Sequence, residues 1–142
     1  MDIEWDERYS VDDEELDMHH KGLFYLLSLI RSRCSGVNDS EYNSYYITQL
    51  EHFSNTHFRL ERILMLDNGY MGMMRHIAEH DEFTKQVARM RSEFSDGDES
   101  HQNELIDFIS KWLLHHVIIE DANLKPFGRD KVGGRREFDH GT

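Results

Sequence analysis

The sequence predicts an all-α protein, an up-down-up-down antiparallel bundle of four helices with an N-terminal loop and a short C-terminal tail. Two observations lead to this prediction. Four segments separated by turn-forming residues repeat their apolar side chains at helical spacing. The sustained alternation that is typical of strands is absent. Because helices joined by short connections pack as antiparallel neighbours, a bundle is the expected arrangement.

Turn-forming clusters at residues 35–40, 67–69 and 95–98 separate the four predicted helices. The first two helices carry apolar stripes of Leu16, Leu23, Phe24, Leu27, Ile30 and Cys34, and of Tyr46, Leu50, Phe53, Leu60 and Leu64. The last two carry Met73, Ile77, Phe83, Val87, Met90 and Phe94, and Leu105, Ile109, Trp112, Leu113 and Val117. Candidate helix caps are Asp39 or Ser40 for the second helix and Asp98 or Ser100 for the fourth. We expect one bundle domain over residues 1–128 and a charged tail over 129–142.

The composition excludes several classes of protein. With 28 acidic against 16 basic residues, the formal charge is −12, which disfavours nucleic acid and anionic membrane surfaces as partners. No apolar run approaches the roughly 18 residues that span a bilayer, and the acidic N-terminus lacks an apolar signal region. The single cysteine, Cys34, leaves no internal disulfide. These features predict a cytoplasmic protein whose unusual component is its 10 histidines.

Five of these histidines fall on the apolar stripes and come from all four predicted helices. Together with one glutamate on the same inward face, they are His20, His57, His76, His80, His116 and Glu61. A buried ionised glutamate is unfavourable by several kcal/mol unless it is paired or binds a cation. Because the stripes contain no lysine or arginine, a metal centre explains this set better than separate core residues do. The remaining histidines lie off the stripes: His19, His52, His101, His115 and His140.

Spacing within the helices supports a shared metal site. His57 and Glu61 are four residues apart, and so are His76 and His80. Such pairs lie on one helical face, one turn apart. Imidazole and carboxylate ligands without thiolate suit iron, manganese or zinc. The ligands outnumber what one tetrahedral ion uses, so we expect two ions bridged by carboxylates.

The fourth helix leaves two alternatives for its carboxylate. Glu120 is four residues after His116, and Asp121 is five residues after it. On a regular helix a residue five positions on is rotated by about 140°. Spacing alone therefore slightly favours Glu120.

The ordered set of these residues resembles the bacterial single-domain hemerythrins over residues 5 to 124. The matching positions are Trp5, Tyr9-Ser10-Val11, Asp17 to Phe24, His57 to Glu61, Gly69-Tyr70, His76, His80, Trp112-Leu113, His116-Val117 and Asp121. Each histidine pair is a weak signal by itself, but the complete order with these separations is specific. Myohemerythrin, a related protein, is an up-down four-helix bundle.

The resemblance implies two iron ions, Fe2+ or Fe3+, with an oxo or hydroxo bridge. It assigns one iron to His76, His80 and His116. It assigns the other to His20 and His57, and the bridging role to Glu61 and Asp121. Asp121 is thus selected over Glu120 against the spacing argument, which a helix distortion or a helix end would reconcile. The resemblance also implies an oxygen pocket beside the ligands, formed by Phe58, Leu113 and Val117 with Trp112 alongside.

The implied function is reversible dioxygen binding by an oxygen carrier, store or delivery protein rather than by an enzyme. The alternative is an oxygen or redox sensor, or a di-iron enzyme acting on peroxide, nitric oxide or ferrous iron. The chain shows no signalling domain and no inward acid or base beyond the ligands, which favours the carrier. Dioxygen is the expected ligand and a monomer the expected state.

Three positions depart from the family pattern. His19 stands where a glutamine commonly precedes the first ligand, and Arg62 stands where a second glutamate is common. A glycine expected near Asp12 is missing. None of these is a predicted ligand, but we expect His19 to affect the surroundings that orient His20.

Overall fold

The structure is a computed structural model that describes residues 3–33 and 42–130. Four long helices are present: α1 (Glu14–Arg33), α2 (Asn43–Asp67), α3 (Met73–Glu93) and α4 (Glu99–Trp112). The α4 helix continues as a π-helical segment, Leu113–Glu120, and then as a 3-10 segment, Asp121–Phe127. A 3-10 turn, Glu7–Tyr9, precedes α1, and the two described ranges contain no strand. The predicted all-α bundle is confirmed.

Each helix packs against its neighbours in the order expected for an up-down bundle, α1 on α2, α2 on α3, and α4 on α1. Within residues 3–33 and 42–130, no helix has the length and apolarity needed to cross a bilayer.

The α2 helix ends in a hydrogen-bonded turn that leads to α3. The N–H of Tyr70 donates to the carbonyl of Met65 at 3.0 Å, and the N–H of Gly69 donates to Leu66 at 3.3 Å. These two bonds define a Schellman motif, which requires a left-handed residue at the position of Gly69. Gly69 accordingly has φ +59°.

Of the predicted helix caps, the structure shows the one at the start of α4. Asp98 caps α4, because its carboxylate accepts from the N–H groups of Ser100 and His101. The α2 helix begins at Asn43, with Tyr42 at the cap position and no side-chain cap bond. Asp39, Ser40 and Cys34 lie outside the described residues.

Two apolar clusters fill the bundle, one on each side of a polar layer. The larger cluster includes Leu23, Phe24, Leu27, Ile30, Leu50, Phe83, Val87, Leu105, Ile109 and Leu113. The smaller cluster is formed by Val11, Leu16, Leu64, Met65 and Leu124. Between them lie the early turns of α1 and α3 and the late turns of α2 and the α4 continuation. The inward histidines come from these turns, so the fold places them in a layer closed by apolar side chains.

The chain after the last 3-10 segment returns to the start of α1. The Arg129 guanidinium contacts the buried carboxylate of Asp13 at 2.6 and 2.8 Å. The N–H of Asp130 donates to the carbonyl of Asp12 at 2.8 Å, and Asp130 accepts from the N–H of Glu14. The boundary between residues 128 and 129 stays a prediction, since residues 131–142 lie outside the described part of the chain.

Candidate metal centre

Seven buried side chains with metal-binding atoms converge in the polar layer. They are His20, His57, Glu61, His76, His80, His116 and Asp121. They form two groups that share both carboxylates, and the candidate ligand atoms within each group lie within 4.8 Å of one another. One group, the three-histidine group, has His76, His80 and His116; the other, the two-histidine group, has His20 and His57. The structure thus brings together the six residues that the apolar stripes indicate and Asp121, which the family resemblance implies.

One oxygen of each carboxylate lies beside the three-histidine group. Glu61 Oε1 is 2.9 Å from His80 Nε2 and 3.1 Å from His76 Nε2. Asp121 Oδ1 is 2.9 Å from His76 Nε2 and 3.2 Å from His116 Nε2.

The other oxygen of each carboxylate lies beside the two-histidine group. Glu61 Oε2 is 2.9 Å from His57 Nε2 and 3.7 Å from His20 Nε2. Asp121 Oδ2 is 3.0 Å from His20 Nε2. Each carboxylate therefore spans the space between the two groups, as a ligand that bridges two ions does.

Several of these atoms approach one another without hydrogen bonding. Within the described residues, the Nε2 atoms of His20, His80 and His116 and both carboxylate oxygens of Asp121 make no hydrogen bond. Buried polar atoms in proteins nearly always have partners. Close approach without hydrogen-bond alignment indicates lone pairs that point to a common centre, which fits a pair of cations.

The electrostatics of the layer also suit cations. Burial alone would raise the pKa of Glu61, but the surrounding histidines hold it well below its usual value. Burial alone would lower the pKa of His20, but Asp121 and Glu61 raise it to about 9. The same carboxylates raise the pKa of His76 to about 10 against the effect of burial. His116 and His20 likewise hold the pKa of Asp121 below its usual value, against burial and the nearby charge of Glu61. Two carboxylates that favour the ionised form in a buried layer need positive charge, which protons or metal ions can supply.

The local helix geometry decides between Glu120 and Asp121. Residues 113–120 are π-helical, and in such a turn the hydrogen bond joins residue i to residue i+5. Asp121 therefore shares the face of His116 and is buried. Glu120 lies at the outer side, with its carboxylate 3.3 Å from Arg75 Nη2. The spacing preference for Glu120 assumed a regular helix, and that assumption is wrong here.

Aromatic rings hold three of the histidines in place. Phe53 stacks on His57 at a centroid distance of 4.8 Å, one turn earlier on α2. Of the four proposed pocket residues, Trp112 stacks on His116 at 3.9 Å and Phe58 stacks on His80 at 3.8 Å. The other two, Leu113 and Val117, are buried in the larger apolar cluster.

Two further residues contact the outer nitrogens of ligand histidines, and the sequence did not predict these contacts. Glu79 Oε1 accepts from His116 Nδ1 at 2.6 Å, a contact that no spacing in the sequence indicates. His19 Nδ1 lies 3.0 Å from His57 Nδ1. The expectation that His19 acts on His20, its neighbour in sequence, is therefore corrected: its hydrogen-bond partner is on α2.

The other histidines have positions away from the centre. His52 and His115 are exposed. His101 accepts from the N–H of Ser95 at 3.0 Å and stacks on Phe94. His140 lies outside the described residues.

Comparisons with known proteins agree with this geometry. Residues 11–127 match the family model described as the hemerythrin HHE cation binding domain. The chain is 27% identical to a bacteriohemerythrin from Pseudomonas paraeruginosa over 83% of this chain and 76% of that protein. It is 25% identical to one from Stenotrophomonas maltophilia, over 92% and 89% of the two chains. It is 26% identical to myohemerythrin-1 from Phascolopsis gouldii, over 85% and 90%. No solved structure matches. The chain belongs to the hemerythrin family.

Proposed function

We propose that this chain binds dioxygen reversibly at a di-iron centre and serves as an oxygen carrier, store or delivery protein. The observation that carries the proposal is the placement of Glu61 and Asp121. Each has one oxygen beside the three-histidine group and the other beside the two-histidine group. Imidazole and carboxylate ligands without thiolate suit iron. Hemerythrins, the family of this chain, are known for such centres.

The unequal number of histidines bears on where a small molecule would bind. Glu61 and Asp121 serve both groups equally, so the group with only His20 and His57 provides fewer protein ligands. If two bound ions had the same coordination number, an external ligand would complete the ligand set on this side. A bound ferrous pair supplies the two electrons that dioxygen binding of this kind requires.

The walls of the centre favour reversible binding. Phe58 lies between the two groups, since it stacks on His80 and contacts the ring of His57 at a centroid distance of 6.3 Å. Trp112 covers the ring of His116, and Leu113 is fully buried. Side chains of this type exclude water, and exclusion of water prevents side reactions that would oxidise the iron irreversibly. We propose that Phe58, Trp112, Leu113 and Val117 form this wall.

The test is an optical spectrum of protein expressed with added iron, recorded without and with oxygen. We expect the ferrous protein to turn pink-violet in air and to bleach again when oxygen is removed. Protein that contains zinc and no stoichiometric iron after such expression would contradict the proposal. Rapid irreversible oxidation with turnover of peroxide would instead support the enzyme alternative.

A further inference from the structure

The two histidine groups receive different support from the residues behind them. In the three-histidine group, Nδ1 of His116 donates to the Glu79 carboxylate at 2.6 Å. In the two-histidine group, Nδ1 of His57 lies 3.0 Å from Nδ1 of His19. Nδ1 of His20 makes no hydrogen bond to any described residue. A carboxylate thus supports one group, and an imidazole supports the other.

Metal binding by His57 would fix which nitrogen of each ring carries a proton. Nε2 of His57 lies 2.9 Å from Glu61 Oε2 and faces the centre. A neutral imidazole that binds a metal ion through Nε2 carries its proton on Nδ1. With a metal ion bound at Nε2, Nδ1 of His57 would therefore donate to Nδ1 of His19, and His19 would carry its own proton on Nε2.

His19 also separates His57 from solvent. A groove of about 380 Å³ between α1 and α2 is lined by His19, His52, Phe53 and Leu23, among others. The side chain of His57 is only 1% exposed, because Phe53 covers its ring and His19 covers Nδ1. If the His19 ring were removed, water from the groove could compete for this nitrogen.

We propose that His19 is a positioning residue that holds His57 in the orientation and tautomer that bind metal at the two-histidine group. The inference rests on the proposed di-iron function. A neutral imidazole accepts a weaker hydrogen bond than a carboxylate does. His57 is therefore a weaker electron donor than His116, whose partner is Glu79. The two-histidine position is the second to fill with ferrous ion, and it depends on His19.

The test is an anaerobic titration of chelator-treated protein with ferrous ion. It compares the wild type with His19→Leu, His19→Gln and the control His52→Leu. Leucine keeps apolar contact with the groove but cannot accept a hydrogen bond, whereas glutamine restores an acceptor. We expect two equivalents to bind tightly in the wild type and in the control. In His19→Leu, the second equivalent should bind about 10-fold to 100-fold more weakly with the first unchanged, and His19→Gln should recover most of the loss.

A second measurement reports the hydrogen bond itself. In zinc-loaded wild type, ¹⁵N NMR of the imidazoles should show His57 protonated at Nδ1 and His19 protonated at Nε2. The His57 Nδ1 proton should shift in His19→Leu and stay in place in His52→Leu. A merely structural role for His19 would not produce this signature.

The outcomes separate this inference from the function on which it rests. Unchanged iron affinity in His19→Leu, equal weakening of both equivalents, or an equal effect of His52→Leu would overturn the positioning role and leave the di-iron function standing. Wild-type protein that takes up no iron would overturn the proposed function, and the positioning role with it.

Discussion

The backbone N–H of Asp121 donates to the carbonyl oxygen of His116, five residues earlier in the chain. This is the hydrogen bond of a π-helical turn. It brings the Asp121 carboxylate to 3.2 Å from His116 Nε2, so a single widened turn supplies two ligands of the candidate centre. π-helical turns in α-helices are frequently found at functional sites. Here the extra residue in the turn brings the Asp121 carboxylate onto the same helical face as His116.

Substitution of the two adjacent carboxylates tests this register. Asp121→Ala removes an oxygen from both histidine groups, so we expect loss of stoichiometric iron and of oxygen binding. Glu120→Ala removes an outer contact with Arg75, so we expect iron content and the oxygenated spectrum to stay close to wild type. The two variants differ by one position and serve as controls for each other. Equal losses from both would contradict the assignment.

The raised histidine pKa values predict how the stability of chelator-treated protein depends on pH. The pKa of His20 is raised from 6.5 to about 9, and that of His76 from 6.5 to about 10. Such groups stabilise the fold fully below the unfolded-state pKa near 6.5, and the contribution is lost as the pH rises through the folded-state values. Between pH 7 and 9 the folded chain holds protons that the unfolded chain has released, and each proton held is equivalent to about 1.4 kcal/mol per pH unit.

We therefore expect the free energy of unfolding of the chelator-treated protein, measured with urea, to fall by a few kcal/mol from pH 7 to pH 9. The zinc-loaded protein is the control, because imidazoles that bind a metal ion are neutral and do not release a proton between pH 7 and 9. A flat or rising stability of the chelator-treated protein over this range would show that the carboxylates do not hold these protons.

The contact between Arg129 and Asp13 predicts a stabilising role for the end of the described chain. Asp13 is 1% exposed in its side chain, while Arg129 is 45% exposed. Burial would raise the pKa of Asp13, but Arg129 lowers it. Arg129→Ala leaves a buried carboxylate without its cation, so we expect a loss of about 1–3 kcal/mol in the free energy of unfolding at pH 7.

Lys111→Ala is the matched control, because Lys111 pairs with Asp107 at the surface and both side chains are well exposed. Exposed pairs contribute about 0–1 kcal/mol. The loss in Arg129→Ala should shrink in acid, since a carboxyl group with a lowered pKa stabilises the fold above its unfolded-state pKa and ceases to do so once it is protonated. Equal losses in the two variants at pH 7 would show that the Asp13 contact stabilises the fold no more than an exposed ion pair does.

The backbone at Asp12 predicts a stabilising substitution. Asp12 has φ +55°, a left-handed conformation that is unfavourable by about 1–2 kcal/mol for most side chains. The missing family glycine falls at this place. We expect Asp12→Gly to raise the free energy of unfolding, and with it the midpoint of urea denaturation, by about 0.5 kcal/mol after the greater freedom of glycine in the unfolded chain is included. Asp12→Ala should lower it, since alanine lacks the tolerance of aspartate for this region. A lower midpoint in both variants would contradict the strain argument.

Much of the centre could be predicted from the amino-acid sequence, because helix periodicity is local. A residue such as His57, four positions after Phe53 and three before Leu60, must share their inward face if the segment is helical. The same reasoning placed His20 and Glu61 correctly. It did not find Glu79 behind His116, because that hydrogen bond joins α3 to the continuation of α4 across 37 residues of sequence.

The all-α fold and the inward position of five histidines follow from the amino-acid sequence, because both depend on the spacing of apolar residues along each helix. The entry of Asp121 rather than Glu120 into the centre depends on the folded chain, since a π-helical turn changes the register that sequence spacing assumes. The contact of His19 with His57 on α2, and not with His20 beside it, depends on the folded chain as well. Contacts between helices depend on packing distances that no local pattern contains.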